Sequence, residues 1–437
     1  YRNFKDRIDS EIKDFRFGKD LTAIYIDPTD KCNARCPYCY IPHETREKGR
    51  SMTKDELNFI LEKIGRYFYG AGTQGNRGKN KIKPPVIIFH ASEPLIVKDI
   101  IFKAIVKYNK VFKFGLQTNA ILMEKKDVEF LKKYRVGVGI SLDSHLSSIN
   151  DKSRRSAQSG SNYKKALKSI EWFDGYEGLN VISTITKFNV EGLPGLVRFL
   201  HKKKVPCVLL NPVRFTPFRD SADKVFSDSE FPRRKPISYK SKKPAQSLTG
   251  FTLVPIDALK PDEKVMADSF IKAVDTAMNL SKKSGRKIII GNFSNTILAI
   301  IAPVARRLMC DISPCGGGRC FFTVTASGDM IPCGEFISLR EFRGGNIFRD
   351  SIEKAMESAP FKKVRARFVE KISKCKNCIF RNICGAPCPA ELHSLGDMYK
   401  TSVFCEFYKT IIKYAFRLIA EKKEKYFLRE HSLNNLQ

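Results

Sequence analysis

The run DPTDKCNARCPYCYIP places Cys32, Cys36 and Cys39 within eight residues and brings no fourth cysteine near them. Thiolates so close together are metal ligands, and their number selects among metals. A structural zinc site is closed by four ligands. Three thiolates spaced C-x3-C-x2-C instead bind three irons of a cubane [4Fe–4S] cluster and leave the fourth iron open to a substrate or cofactor. An open iron is the chemistry these residues favour, with zinc the weaker alternative.

The chain has thirteen cysteines, and an odd number in a reducing compartment argues for metal rather than a disulfide framework. Nine of them lie between Cys310 and Cys405. CGGGRCFFTVTASGDMIPC, then CKNCIFRNICGAPC and a last Cys405, supply Cys315, Cys320, Cys333, Cys375, Cys378, Cys384, Cys388 and Cys405. Eight thiols are enough for two complete cubanes. A zinc ribbon is the alternative for C-x2-C-x5-C, but two zincs leave the first motif unexplained. Cys310 is left over, near enough to compete with Cys315 or Cys320 as a ligand. Cys207, in the apolar run VPCVLLNP, reads as a buried core thiol.

The elements that must position these thiols are legible in the hydrophobic pattern. The β-rich runs LTAIYID, PVIIFH, FGLQTN, VGVGISLD, LNVISTIT and VPCVLLNP alternate with helical patterns such as MTKDELNFILEKIGRYF and KDIIFKAIVKYNKVF. Six strand–helix units predict an α/β fold, a partial (β/α)6 TIM-like barrel with function at the C-terminal ends of its strands. Cys32 follows the first strand and so falls on that face. The 437 residues divide into an N-terminal segment 1–22, a barrel 23–213, a basic, Pro- and Ser-rich insertion 214–261, connecting helices 262–309, a cysteine-rich domain 310–408, and a C-terminal helix and tail 409–437.

Composition narrows the partners. Lys and Arg number 78 against 46 Asp and Glu, a net charge of +32 that attracts polyanions, acidic peptides or anionic surfaces. The basic residues are spread along the chain, so a solvated surface explains them equally well. No apolar run approaches the roughly 20 residues of a membrane span, and the charged start YRNFKDRIDSEIKDF is unlike a signal peptide. These features predict a cytoplasmic protein with no membrane partner. Position 1 is not Met, so sequence before Tyr1 is expected.

C-x3-C-x2-C after a first barrel strand, with Tyr38 before its last cysteine, resembles the radical S-adenosylmethionine (radical SAM) superfamily. The resemblance implies a cluster whose open iron chelates S-adenosylmethionine and whose electron cleaves it to methionine and a 5′-deoxyadenosyl radical. The radical then abstracts a substrate hydrogen, while the barrel excludes water and orients the reacting bond. FHASEPLI is similar to the family's His-Gly-Gly-Glu-Pro run, with Ala91 and Ser92 in place of the glycines. It implies that His90, Ala91, Ser92 and Glu93 hold the cofactor's ammonium. GISLDS and NDKSRR are similar to the runs that hold its carboxylate, which implies Ser141 and Arg154. Taken singly, Glu93 reads equally well as a helix cap and Arg154 as a solvated loop charge.

The second cysteine zone is similar to the SPASM extension of the same superfamily, including Gly328 before Pro332-Cys333. By position, the resemblance assigns Cys315, Cys320, Cys333 and Cys388 to one auxiliary cluster and Cys375, Cys378, Cys384 and Cys405 to another, three [4Fe–4S] clusters in all. It also implies a substrate class, because most such enzymes modify ribosomally made peptides or proteins. The sulfatase-maturing branch has an Asp directly after the Pro-Cys cysteine, where this chain has Gly334 and then Glu335, a departure that argues against that activity. The expected function is thioether or carbon–carbon crosslinking of a precursor peptide with an acidic leader, fed by a flavodoxin- or ferredoxin-like electron donor. Glu335 is the candidate catalytic base, an exposed surface carboxylate being its ordinary alternative. About twenty residues precede the first strand, too few for a leader-binding module, so leader recognition falls to another protein, to sequence before Tyr1, or to the basic surface. The alternatives are oxidation of a small molecule or cofactor precursor and, from another class, an electron carrier or nucleic-acid-binding metalloprotein. Nucleic acid is the weaker partner, since binding alone gives no reason for an open iron.

Overall fold

The computed structural model describes residues 2–70, 85–157, 160–215, 259–306, 308–310, 312–385 and 387–429. Most of the insertion expected over 214–261 and the end of the C-terminal tail lie outside the described residues. The six predicted strands form where their β-branched and aromatic runs lie: β1 (Ala23–Ile26), β2 (Val86–Phe89), β3 (Lys113–Thr118), β4 (Gly137–Ser141), β5 (Leu179–Ile185) and β6 (Cys207–Pro212). They pair in sequence order and all in parallel. Each parallel step needs a crossover, which the intervening helices supply.

Helix Lys54–Tyr69 illustrates how. Thr53 and Glu56 form a capping box at its start, and Leu57, Ile60, Leu61 and Ile64, spaced along one face, are buried against the sheet. Gly70, at φ 75°, ends it in a conformation that costs glycine little. Helix Glu263–Ser284 follows the same logic, capped by Asp262 and ended by left-handed Gly285.

The sheet extends beyond the expected six strands at both edges. β7 (Ile289–Ile290) adds in parallel to β6. On the other edge β8 (Phe321–Val324), from the cysteine-rich region, pairs in parallel with β1, followed antiparallel by β9 (Asp329–Ile331) and β10 (Gly345–Asn346). The resulting order is β10-β9-β8-β1-β2-β3-β4-β5-β6-β7. The cysteine-rich region is thus joined to the barrel by backbone hydrogen bonds as well as by side chains, for example Asp27 N to Val324 O at 2.9 Å. The last long helix, Cys405–Ala420, begins at the final cysteine and packs on Glu263–Ser284 through Phe407 and Phe270, whose ring centroids are 5.5 Å apart. No described helix is long and apolar enough to cross a membrane.

Candidate active site

Beyond β1 the chain loops over the C-terminal edge of the sheet, and backbone bonds fix that loop before any ligand arrives. Cys32 N donates to Arg46 O at 2.9 Å and Arg35 N to Arg155 O at 2.7 Å. The buried Arg46 donates back to Ile41 O and Ala34 O, at 3.0 and 3.1 Å. Cys32, Cys36 and Cys39 consequently line one open cleft. Burial, helped by Glu93 and the neighbouring thiols, pushes the Cys32 thiol up to about 12, and burial pushes Cys36 up to about 11 against the opposing pull of Arg154. A buried thiolate trio is unfavourable until a cation joins it, and iron supplies that charge. Ala34 N lies 3.4 Å and Asn119 Nδ2 3.8 Å from Cys32 Sγ, as N–H donors to a cluster ligand would. Among the described residues no three His, Cys, Asp or Glu side chains converge on a single-ion centre. A cubane gives each thiolate its own iron, so it asks for a wider spacing than zinc does. The donor set therefore fits a cluster, and no disulfide joins any of the cysteines.

The strand ends supply the rest of the cleft. His90, Ala91 and Ser92 line it beyond β2, Ser141 at the end of β4, and Tyr38 and Arg154 beside the cysteine loop. Ala91 and Ser92 adopt φ of 55° and 46°, the left-handed turn that two glycines would take at less cost. Ser92 Oγ holds the turn by donating to Asp30 O at 2.7 Å. Arg154 is almost fully buried, with Nε 3.0 Å from Asp143 Oδ1 but too misaligned to hydrogen-bond it. Tyr38 donates to the other oxygen of Asp143 at 2.6 Å. One carboxylate thus orients both the guanidinium and the ring, and an anion in the cleft would meet an arginine with donors to spare.

Glu93 requires a correction. The family pattern implied that its carboxylate reaches the cofactor's ammonium, but it does not line the cleft. Oε1 accepts from Leu95 N and Thr118 Oγ1, and Oε2 from Asn119 N, so the fully buried group is held by three donors between the ends of β2 and β3. The helix-cap alternative describes it, at the start of the short 3-10 helix Pro94–Val97.

A second cavity adjoins the first, and Cys310, Cys315, Cys333, Cys384 and Cys388 are among the residues that line it. Cys388 lines it together with Cys315 and Cys333, which lie far earlier in the chain. Cys320 is not there, and this is the second correction. It directly precedes β8, where neighbouring side chains point to opposite faces; Phe321 lines the cavity, so Cys320 turns away, toward Asp20. Cys310 lines the cavity instead; burial, and then Cys310, Glu335 and Cys315, push the Cys333 thiol well up. Gly317 N donates toward Cys315 Sγ at 3.4 Å, and Arg214 Nη1 toward Cys388 Sγ at 3.6 Å. Cys375, Cys378 and Cys405 lie within one another's fields, while Cys384 faces the cavity from helix Arg381–Cys384. Cys207 is a buried core thiol beneath Gly291, as expected.

The two cavities share one wall, made by Asn211, Pro212, Arg214 and Glu335. Glu335 is not an exposed surface carboxylate: it is half-buried, 2.9 Å from Arg214, and its Oε2 has no hydrogen-bond partner. Asp27, Asp143 and Arg214 were missed in the sequence. Asp143 stands inside GISLDS, where it could have been read, whereas Arg214 looked like the start of the insertion. Asp27 is fully buried, with His90 Nδ1 3.4 Å away and neither oxygen hydrogen-bonded, and burial holds it above the usual carboxylate range.

Comparison with known proteins bears on the family and the fold. The sequence matches the radical SAM superfamily over residues 26–200 and the SPASM iron-sulfur cluster-binding domain over 315–379. An uncharacterised protein of Archaeoglobus fulgidus is 40% identical over 96% of this chain and 87% of its own length. A cysteine-type anaerobic sulfatase-maturating enzyme of Clostridium novyi is 21% identical over 90% of this chain and 95% of its own. Among solved structures, anSMEcpe with bound AdoMet superposes with a TM-score of 0.72, at 17% identity over 95% of this chain and 98% of that one. SuiB of Streptococcus suis bound to the precursor peptide SuiA gives 0.57, at 17% identity over 93% and 80%.

Proposed function

Because this chain belongs to the radical SAM superfamily and carries a SPASM domain, we propose that it modifies a ribosomally made peptide, forming a thioether or carbon–carbon crosslink. One observation carries the reading. A cleft that gathers an open three-cysteine loop and a buried arginine shares its wall with a second cysteine-lined cavity, so a substrate between them touches both. Bound in these places, the clusters and S-adenosylmethionine supply the one-electron chemistry that yields a 5′-deoxyadenosyl radical and later takes an electron back.

The protein's own residues do the rest. Cys32, Cys36 and Cys39 hold the open cluster; Arg154, oriented by Asp143, and Ser141 hold the cofactor's carboxylate, and the His90–Ser92 turn its ammonium. Cys310, Cys315, Cys333 and Cys388 hold one auxiliary cluster, and Cys375, Cys378, Cys384 and Cys405 the other. Glu335 accepts the substrate proton, kept beside the reacting centre by Arg214. A flavodoxin- or ferredoxin-like protein provides the electrons. The peptide reading draws support from the peptide-bound SuiB, whose fold this chain shares.

Anaerobic reconstitution tests it. The parent should carry about twelve irons and cleave S-adenosylmethionine under reduction. Replacing Cys32, Cys36 and Cys39 with Ala should remove about four irons and abolish cleavage. Glu335→Gln should keep deoxyadenosine formation but lower the yield of modified peptide. Stoichiometric zinc in the anaerobic protein would sink the cluster reading, and unchanged product yield would remove Glu335 from the mechanism.

A further inference from the structure

Arg367 is among the largest fully buried side chains, with 1% of its surface exposed. Its Nε donates to Met398 O, and Nη2 to Pro387 O at 3.4 Å, one residue before Cys388. Met398 packs in the small core that holds Cys315, and its neighbour Tyr399 packs both there and on the separate small core beside Cys375. The guanidinium is thereby pinned between the two groups of auxiliary cysteines. Cys315 and Cys388 of one proposed cluster and Cys375 of the other lie close enough to act on its charge, against the cost of its burial.

A four-thiolate cubane is a net anion that gains another negative charge on reduction, and burial makes that gain costly. A fixed cation in the same low-dielectric region offsets it, and more strongly in the reduced state than in the oxidised one. We propose that Arg367 is a shared counter-charge for both auxiliary clusters, raising the reduction potential of each so that they accept an electron from the substrate side. The proposal rests on the cluster assignment above and makes Arg367 a positioning residue, acting through charge alone. Closing the crosslink breaks one X–H bond and forms one C–X bond: the substrate radical gives up a single electron to the nearer auxiliary cluster, from which it can pass to the other, and the proton goes to the carboxylate of Glu335.

A merely structural Arg367 would hold the Met398 and Pro387 carbonyls without moving a potential, which gives the test its readout. In full-length protein with Cys32, Cys36 and Cys39 replaced by Ala, only the auxiliary clusters report in an EPR-monitored redox titration. Arg367→Lys, which keeps the charge, should titrate close to the parent. Arg367→Met and Arg367→Gln should make both clusters at least about tenfold harder to reduce, about 59 mV for a one-electron couple. Loss of iron from Arg367→Met and Arg367→Gln, whether or not Arg367→Lys keeps it, would mark a structural role and overturn the proposal. Neutral variants that hold about eight irons and titrate like the parent, or shift one cluster alone, would overturn it. A background protein holding fewer than about eight irons overturns the cluster assignment, and this proposal with it, before Arg367 is varied.

Discussion

Cys310 and Cys320 flank Cys315 at equal distances in sequence, and spacing alone cannot choose between them. The fold can, because the start of β8 turns Phe321 into the cavity and Cys320 to the opposite face. Cys310→Ala should therefore cost one auxiliary cluster, about four irons, while Cys320→Ala keeps its full iron content. The reverse result by iron analysis would restore the original assignment. The other cysteines could be proposed as ligands from sequence because ligands need fixed local spacing, which sequence records directly. Asp143 and Arg214 were not, since their roles depend on Tyr38, Arg154, Glu335 and Cys388, partners brought in by other elements. Family resemblance misplaced the Glu93 carboxylate for a related reason: a motif marks a position in the chain, not the direction in which its side chain points.

At the scale of elements, Glu93 ties the end of β2 to the end of β3 from a fully buried position. Burial raises its carboxyl to about 7, against the opposing pull of bonds from Thr118, Asn119 and Leu95. A raised carboxyl favours the protonated folded state. Its contribution is fully present below the unfolded value near 4.5 and is lost as pH rises through about 7. Unfolding by denaturant at pH 5 and pH 8 should show a loss of at most roughly 3 kcal/mol that Glu93→Gln abolishes. An identical pH slope in the variant would show that Glu93 stays ionised throughout. The six barrel strands were readable because each hydrophobic run meets a helix of clear period. The pairing of β8 with β1 was not, because FFTV is a short apolar run between cysteines and its partner lies at the other end of the chain. A parallel partner chosen at such a separation is a tertiary fact that no local pattern carries.

On the scale of the whole molecule, that seam makes the barrel and the cysteine-rich region one continuous sheet, so the wall at Arg214 and Glu335 is held from both sides. A substrate reaching this wall must first approach a strongly basic surface. Even if each of the 46 carboxylates paired with one cation, 32 of the 78 Lys and Arg would remain in excess. Such a field favours an acidic leader and speeds its encounter, but exposed charges are screened beyond about 8 Å at physiological salt. Binding of an acidic precursor peptide, measured by fluorescence anisotropy, should therefore weaken by at least about tenfold between 0.05 and 0.5 M salt, mostly through slower association. The loss should be shared among many lysines, so that no single Lys→Ala change reproduces it. A neutral or basic precursor that binds with no salt dependence would refute the electrostatic part of the proposal. It would leave the radical chemistry standing, because the cysteine loop and Arg154 line the cleft and Asp143 is buried beside Arg154, where surface screening does not reach.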